Sequence, residues 1–117
     1  MSTVIDHAEI IMKAYKAFNE RDIDAVLLLI MPDVAWPNGW KGGYVYGHDA
    51  IRNYWARQWA VLSPHIVPVA IDEASDGRIN VSVQQTIKDI QGDLIADGMV
   101  TLIYTFTDDL IAHMEIA

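Results

Sequence analysis

Gln85 is the residue of this sequence most open to chemistry beyond packing. In V-S-V-Q-Q-T-I it shares one strand face with Val81, Val83 and Ile87, so period-two alternation sets a polar amide on an apolar stripe. A buried amide left unpaired costs ~1–3 kcal/mol, so a neighbouring polar group or a bound molecule must satisfy it. The first case is a structural hydrogen bond, and the second is a contact to a ligand carbonyl or hydroxyl. All four tryptophans, Trp36, Trp40, Trp55 and Trp59, fall between positions 36 and 59. Each brings a large flat apolar surface with one N–H donor, which suits a planar cyclic ligand. Trp55 and Trp59 stand one helical turn apart beside Tyr54 and Gln58, and read as core that doubles as pocket wall. Trp40, in N-G-W-K-G-G, reads as a lid residue or a dimer contact.

Acid–base candidates are few. Most Asp residues (6, 22, 24, 33, 76, 93, 108 and 109) fall at helix starts and turns, where capping and solvation account for them. Asp97 is different, standing mid-strand in L-I-A-D-G-M-V. Alternation groups it with Met99, Thr101 and Ile103, opposite the expected pocket face of Val100, Leu102 and Tyr104. A bulge at Gly98 would re-aim it, and on that condition Asp97 is the candidate general base. His7, His48, His65 and His113 form no H-x-H or H-E-x-x-H pattern, so no metal site is expected. Arg52 and Arg57 are ordinary solvated or ion-paired arginines unless the ligand is an anion. No nucleotide fingerprint or nucleophile elbow occurs, and no cofactor is expected.

Composition narrows the classes further. The chain has 117 residues, 52% hydrophobic and 21% charged, with 8 Lys and Arg against 16 Asp and Glu. A net charge of −8 argues against nucleic acid and anionic membrane as partners. The absence of Cys excludes disulfides and thiolate chemistry. With no charged-then-apolar leader and no long apolar run, the expectation is one cytoplasmic domain over residues 1–117.

These residues must be positioned by regular elements. Apolar residues at Val4, Ala8, Ile11, Tyr15 and Phe18 predict an amphipathic helix over 3–19. Asp22 caps a second helix running to about residue 31, where Pro32 stops it. A short strand over 34–36 follows, then a third helix opening at Gly47 and ended by Ser63-Pro64. From there the pattern alternates, predicting strands over 65–73, 78–90, 94–107 and 110–116. Helices followed by an antiparallel meander indicate an α+β fold with helices on one face of the sheet.

The stretch A-Y-K-A-F-N-E-R-D-I-D-A-V from Ala14 resembles the first helix pair of the NTF2-like superfamily. P-D-V-A-W from Pro32, G-H-D-A-I-R-N-Y-W from Gly47 and Y-T-F-T-D-D-L-I-A-H-M-E-I from Tyr104 extend the resemblance over nearly the whole chain. The nearest branch is the SnoaL-like family, which includes polyketide cyclases and relatives of ketosteroid isomerase. The resemblance implies a cone of three helices on a strongly curved antiparallel or mixed sheet, enclosing a hydrophobic pocket. It also implies a homodimer through the sheet, whose outward face carries Ser82, Gln84, Thr86 and Thr105. In ketosteroid isomerases a carboxylate base follows the first strand, a Tyr on helix one donates to the substrate oxygen, and a protonated Asp assists. The matching positions here are Asn38, Ala14 and Leu102, none of which can take those roles.

The expected ligand pocket is therefore Trp36, Asn38, Trp40, Tyr54, Trp55, Gln58, Trp59, Val83, Gln85, Leu102, Tyr104 and Met114. Its expected occupant is a small hydrophobic cyclic or ketone-bearing molecule. One reading is a cyclase or isomerase, moving a proton through Asp97 or through a water held by Gln85 and Asn38. The others are a non-catalytic small-molecule binder and a dimeric interaction module.

Overall fold

A computed structural model describes residues 7–38 and 42–117. Helix α1 (His7–Asn19) buries Ile10, Ile11, Ala14, Tyr15, Ala17 and Phe18, the single face its spacing requires. A turn at Arg21 leads to α2 (Ile23–Leu27), where the Asp22 carboxylate accepts from the Ala25 amide at 3.1 Å. Strand β1 (Ile30–Pro37) and β2 (Tyr44–Tyr46) precede α3 (His48–Val61). The chain then forms β3 (Leu62–Glu73), β4 (Ile79–Asp89), β5 (Leu94–Thr107) and β6 (Leu110–Ile116).

The six strands form one open, curled sheet in the order β2-β1-β6-β5-β4-β3. The β1–β6 pair is parallel and every other pair is antiparallel, so the sheet is mixed. The helices pack on its inner face over a core that includes Ile11, Val34, Ile51, Val81 and Ile111. No described helix is long and apolar enough to cross a membrane.

Two local expectations are corrected. The second helix stops at Leu27 rather than near residue 31, because Ile30 pairs with Ile111 and is buried to 1% exposure in the sheet. That burial outweighs any propensity to continue the helix. Pro32 lies inside β1, where the register to β6 shifts between Ile30 and Ala35, and a residue without an N–H is tolerated at such an irregularity. Likewise the third strand starts at Leu62 rather than at residue 65: α3 ends at Val61, just before Ser63-Pro64, and passes directly into β3. Strand β3 is the edge of the sheet, so Pro64 and Pro68 need no partner on its open side.

Gly47 makes the turn into α3 at φ 86°, a conformation that L side chains rarely adopt. A Cβ there would also meet the Pro32 carbonyl oxygen at 3.2 Å. His48, the next residue, donates from Nε2 to the Ile30 carbonyl at 2.9 Å and ties α3 to the start of β1.

Candidate functional site

A cavity of about 140 Å³, partly open to solvent, lies between the helices and the inner sheet face. Alternation along the strands delivers one row of side chains to it. On β5 these are Val100, Leu102 and Tyr104, with Gly98 preceding them on the same face. Gln85 on β4 stands opposite Gly98 and next to Ile66 of β3. The helices supply Ala14, Tyr15 and Phe18 from α1 and Tyr54, Trp55 and Gln58 from α3, while β1 supplies Trp36 and β6 Met114.

The walls have a deep and a shallow end. Tyr15 and Tyr104 are buried at 6% and 3% exposure, whereas Gln85 is half-buried and Gly98 exposed. The Tyr15 and Tyr104 hydroxyls lie 2.5 Å apart, and their rings meet edge to face with centroids at 6.4 Å. Burial pushes both phenols well above the usual tyrosine range. For Tyr15 the hydrogen bond shared with Tyr104 opposes this in part, and for Tyr104 the presence of Tyr15 adds to it. Both are therefore neutral at physiological pH.

The remaining polar groups are amides and a third phenol. Gln58 Nε2 reaches the Tyr54 hydroxyl at 3.5 Å, the outer limit for a hydrogen bond. The Gln85 amide makes no side-chain hydrogen bond among the described residues, so the polar capacity noted in the sequence is unspent. No Asp, Glu, His, Lys or Arg lines the cavity among the described residues. Nor do those residues contain a cluster of three His, Asp or Glu side chains placed to hold a metal ion.

Of the residues singled out from sequence, Trp36, Tyr54, Trp55, Gln58, Gln85, Leu102, Tyr104 and Met114 line the cavity. Trp59 stands behind it, stacked on Trp55 at 5.6 Å and edge-on to Phe18 at 5.3 Å. Val83 is fully buried in the core without reaching the cavity surface. Asn38 closes the end of β1 outside the lining, and Trp40 lies outside the described residues.

Asp97 is not in the cavity. The β4–β5 ladder runs unshifted through Gln85–Gly98 and Thr86–Asp97, and the bulge falls beyond Ala96 instead of at Gly98. Asp97 consequently stays on the exposed outer face, where its carboxylate accepts from Gln84 Nε2 and from Thr86 Oγ1. Arg52 is likewise spent on the surface, in an ion pair with Asp24.

Tyr15 is the functional candidate that sequence reasoning missed. Its spacing on α1 matches that of a core residue, and only the phenol on an otherwise apolar face could have marked it. Ala14 and Leu102 do reach the cavity, at the positions where an isomerase would carry its donors, and neither can donate.

Residues 11–114 match the sequence profile of the SnoaL-like domain. The chain belongs to the SnoaL-like domain family. None of the curated proteins matches its sequence. Among solved structures, the SnoaL-like domain resembles TerC, crystallised with polyporic acid, at 28% identity and a TM-score of 0.82 over 95% of this chain and 89% of that one. An NTF2-like protein of unknown function from Burkholderia pseudomallei K96243 gives 22% identity and a TM-score of 0.83, covering 97% and 91%. Rv0760c from Mycobacterium tuberculosis, in complex with estradiol-17β-hemisuccinate, gives 15% and 0.81, covering 94% and 91%. These likenesses establish the NTF2-like fold.

Proposed function

We propose that this SnoaL-like domain binds a small, uncharged, hydrophobic cyclic molecule bearing a carbonyl or hydroxyl group. The observation that carries the reading is an aromatic cavity that is charge-free among the described residues, with a Gln85 amide at its mouth that has no side-chain partner among them. An ionised ligand would lose its hydration there without gaining a counter-charge, which favours neutral molecules. Cavities of this size are large enough to matter energetically, since an apolar cavity of ~150 Å³ suffices for benzene in an engineered lysozyme. The open mouth lets larger rings extend outward. Two solved relatives were crystallised with small molecules, polyporic acid and a steroid hemisuccinate, which supports the same class of use here.

Binding without chemistry is the better-supported form of this reading. A cyclase or isomerase needs a group that accepts a proton near neutrality, and the described lining offers none. The remaining catalytic version relies on a water held by Gln85, since Asn38 is not in the lining. Intrinsic tryptophan fluorescence titrated with cyclic ketones and aromatic fragments tests the proposal, because Trp36 and Trp55 border the cavity. Saturable quenching that Gln85→Leu weakens supports it. Recovery of the compound unchanged indicates a binder and a transformed compound an enzyme. Absence of quenching across the panel overturns the small-molecule reading.

The homodimer through the sheet is supported by Val67 and Met99, exposed at 46% and 56%, which flank Gln84 on the outer face. Sedimentation velocity of the wild type against Met99→Glu tests it, and a wild-type monomer at tens of micromolar counts against it.

A further inference from the structure

Tyr15 and Tyr104 bring two hydroxyl protons to a single contact. Their bond needs only one O–H, whichever residue donates. The other proton meets no acceptor among the described residues, although both side chains line the cavity. A buried donor left unspent in a low-dielectric site is costly, and a hydroxyl already engaged by a neighbour is a better donor to a third group. We propose that this pair is a donor reserved for a carbonyl oxygen at the buried end of the ligand, so the cavity prefers a ring ketone to the hydrocarbon of the same shape. The inference rests on the small-molecule reading above and specifies which atom of the ligand enters first.

The proton count favours a carbonyl over other oxygens. In a chain of hydroxyl, hydroxyl and carbonyl, each proton has an acceptor and none is left over. A ligand alcohol would add a third proton with no further acceptor at the deep end, and a carboxylate would arrive without a cation to meet it. Gln85 is too distant to share this role. It faces Gly98, and at ~3.3 Å per residue about 20 Å of strand separates Gly98 from Tyr104.

Methionine-methyl NMR reads the test directly, because Met114 is the methionine that lines the cavity among the described residues. Indane and 1-indanone serve as probes, being nearly identical in shape and differing in one carbonyl. Both are expected to shift the Met114 signal, with the ketone binding about 3- to 10-fold more tightly, the range for one net hydrogen bond. In the Tyr15→Phe/Tyr104→Phe double variant that ratio should fall to about one while indane still binds. Each single variant keeps one hydroxyl and should fall between. Equal affinities in the wild type overturn the proposal and leave the pocket reading standing. A preference that survives in the double variant also overturns it. Silence from Met114 with both probes overturns the pocket reading and this one with it. Should the double variant fail to fold, the wild-type ratio and the single variants decide the matter alone.

Discussion

The side-chain amide of Asn19 holds both backbone hydrogen-bonding groups of Ile66, donating to its carbonyl at 2.7 Å and accepting from its N–H at 3.0 Å. Ile66 lies on edge strand β3, so Asn19 takes the place that a further strand would occupy. The neighbouring outward positions are blunted in other ways. Pro64 and Pro68 have no N–H, and the Pro64 carbonyl accepts from Arg21 at 2.6 Å. The same contacts hang the cavity wall at Ile66 and Pro64 from the end of α1 and the turn after it. Asn19→Ala should therefore lower stability by about 1–2 kcal/mol, two part-buried hydrogen bonds being lost. Urea unfolding measures the loss, and light scattering should show more self-association as the edge opens. An unchanged midpoint would mean that water replaces the amide without cost.

Gly47 supports a second stability prediction. Its φ of 86° and the 3.2 Å approach of the Pro32 carbonyl to a Cβ act together, so Gly47→Ala meets both backbone strain and a contact. The expected loss is about 1–3 kcal/mol, the usual range for a residue forced into the left-handed region. Chemical denaturation compared with Gly92→Ala separates the two causes. Gly92 has a similar φ of 94° with open space around it, so its variant should lose less.

How legible the molecule was depended on whether local pattern or distant partners decided each element. Alternation carries Gln85, Leu102 and Tyr104 to one face of the sheet, and helical spacing carries Trp55 and Gln58 to the same interior, because burial on one side imposes those periods. The early end of α2 and the extension of β1 back through Pro32 to Ile30 were not legible. Ile30 leaves the helical path for a parallel partner, Ile111, far along the chain. Ser63-Pro64 looks like a stop signal in one dimension and becomes an edge position only once the strand order is known. The Tyr15–Tyr104 bond joins a helix to a strand across most of the sequence, and no local spacing encodes it.

The buried phenols impose a sign on alkaline behaviour. Both are held above the ordinary tyrosine value of 10.0, chiefly by burial. A group whose folded pKa is raised contributes stability that is complete below the unfolded pKa and is lost as pH rises toward the folded one. Their contribution should thus be flat from pH 7 to 9 and decline from about pH 10 upward. Urea midpoints across pH 7–11 check this, with the Tyr15→Phe/Tyr104→Phe variant as comparison. The variant should start less stable and fall less steeply above pH 10. Parallel curves would show that neither phenol ionises on unfolding in that range.

Gly98 offers a way to close the mouth without disturbing the core. It stands opposite Gln85 on the cavity face, and a Cβ there meets nothing within 4 Å. Its φ is not in the left-handed region, so a β-branched residue can replace it, and such residues favour strands. Gly98→Ile should keep or slightly raise the thermal midpoint, since a strand glycine costs roughly 0.5–1 kcal/mol relative to alanine. Its side chain should meanwhile occupy space beside Gln85 and weaken ring-ligand binding by about tenfold, equivalent to ~1.4 kcal/mol. Thermal melts and the Met114 titration together make the test. Undiminished binding in a well-folded variant would place the ligand wholly at the tyrosine end and remove Gln85 from its contacts.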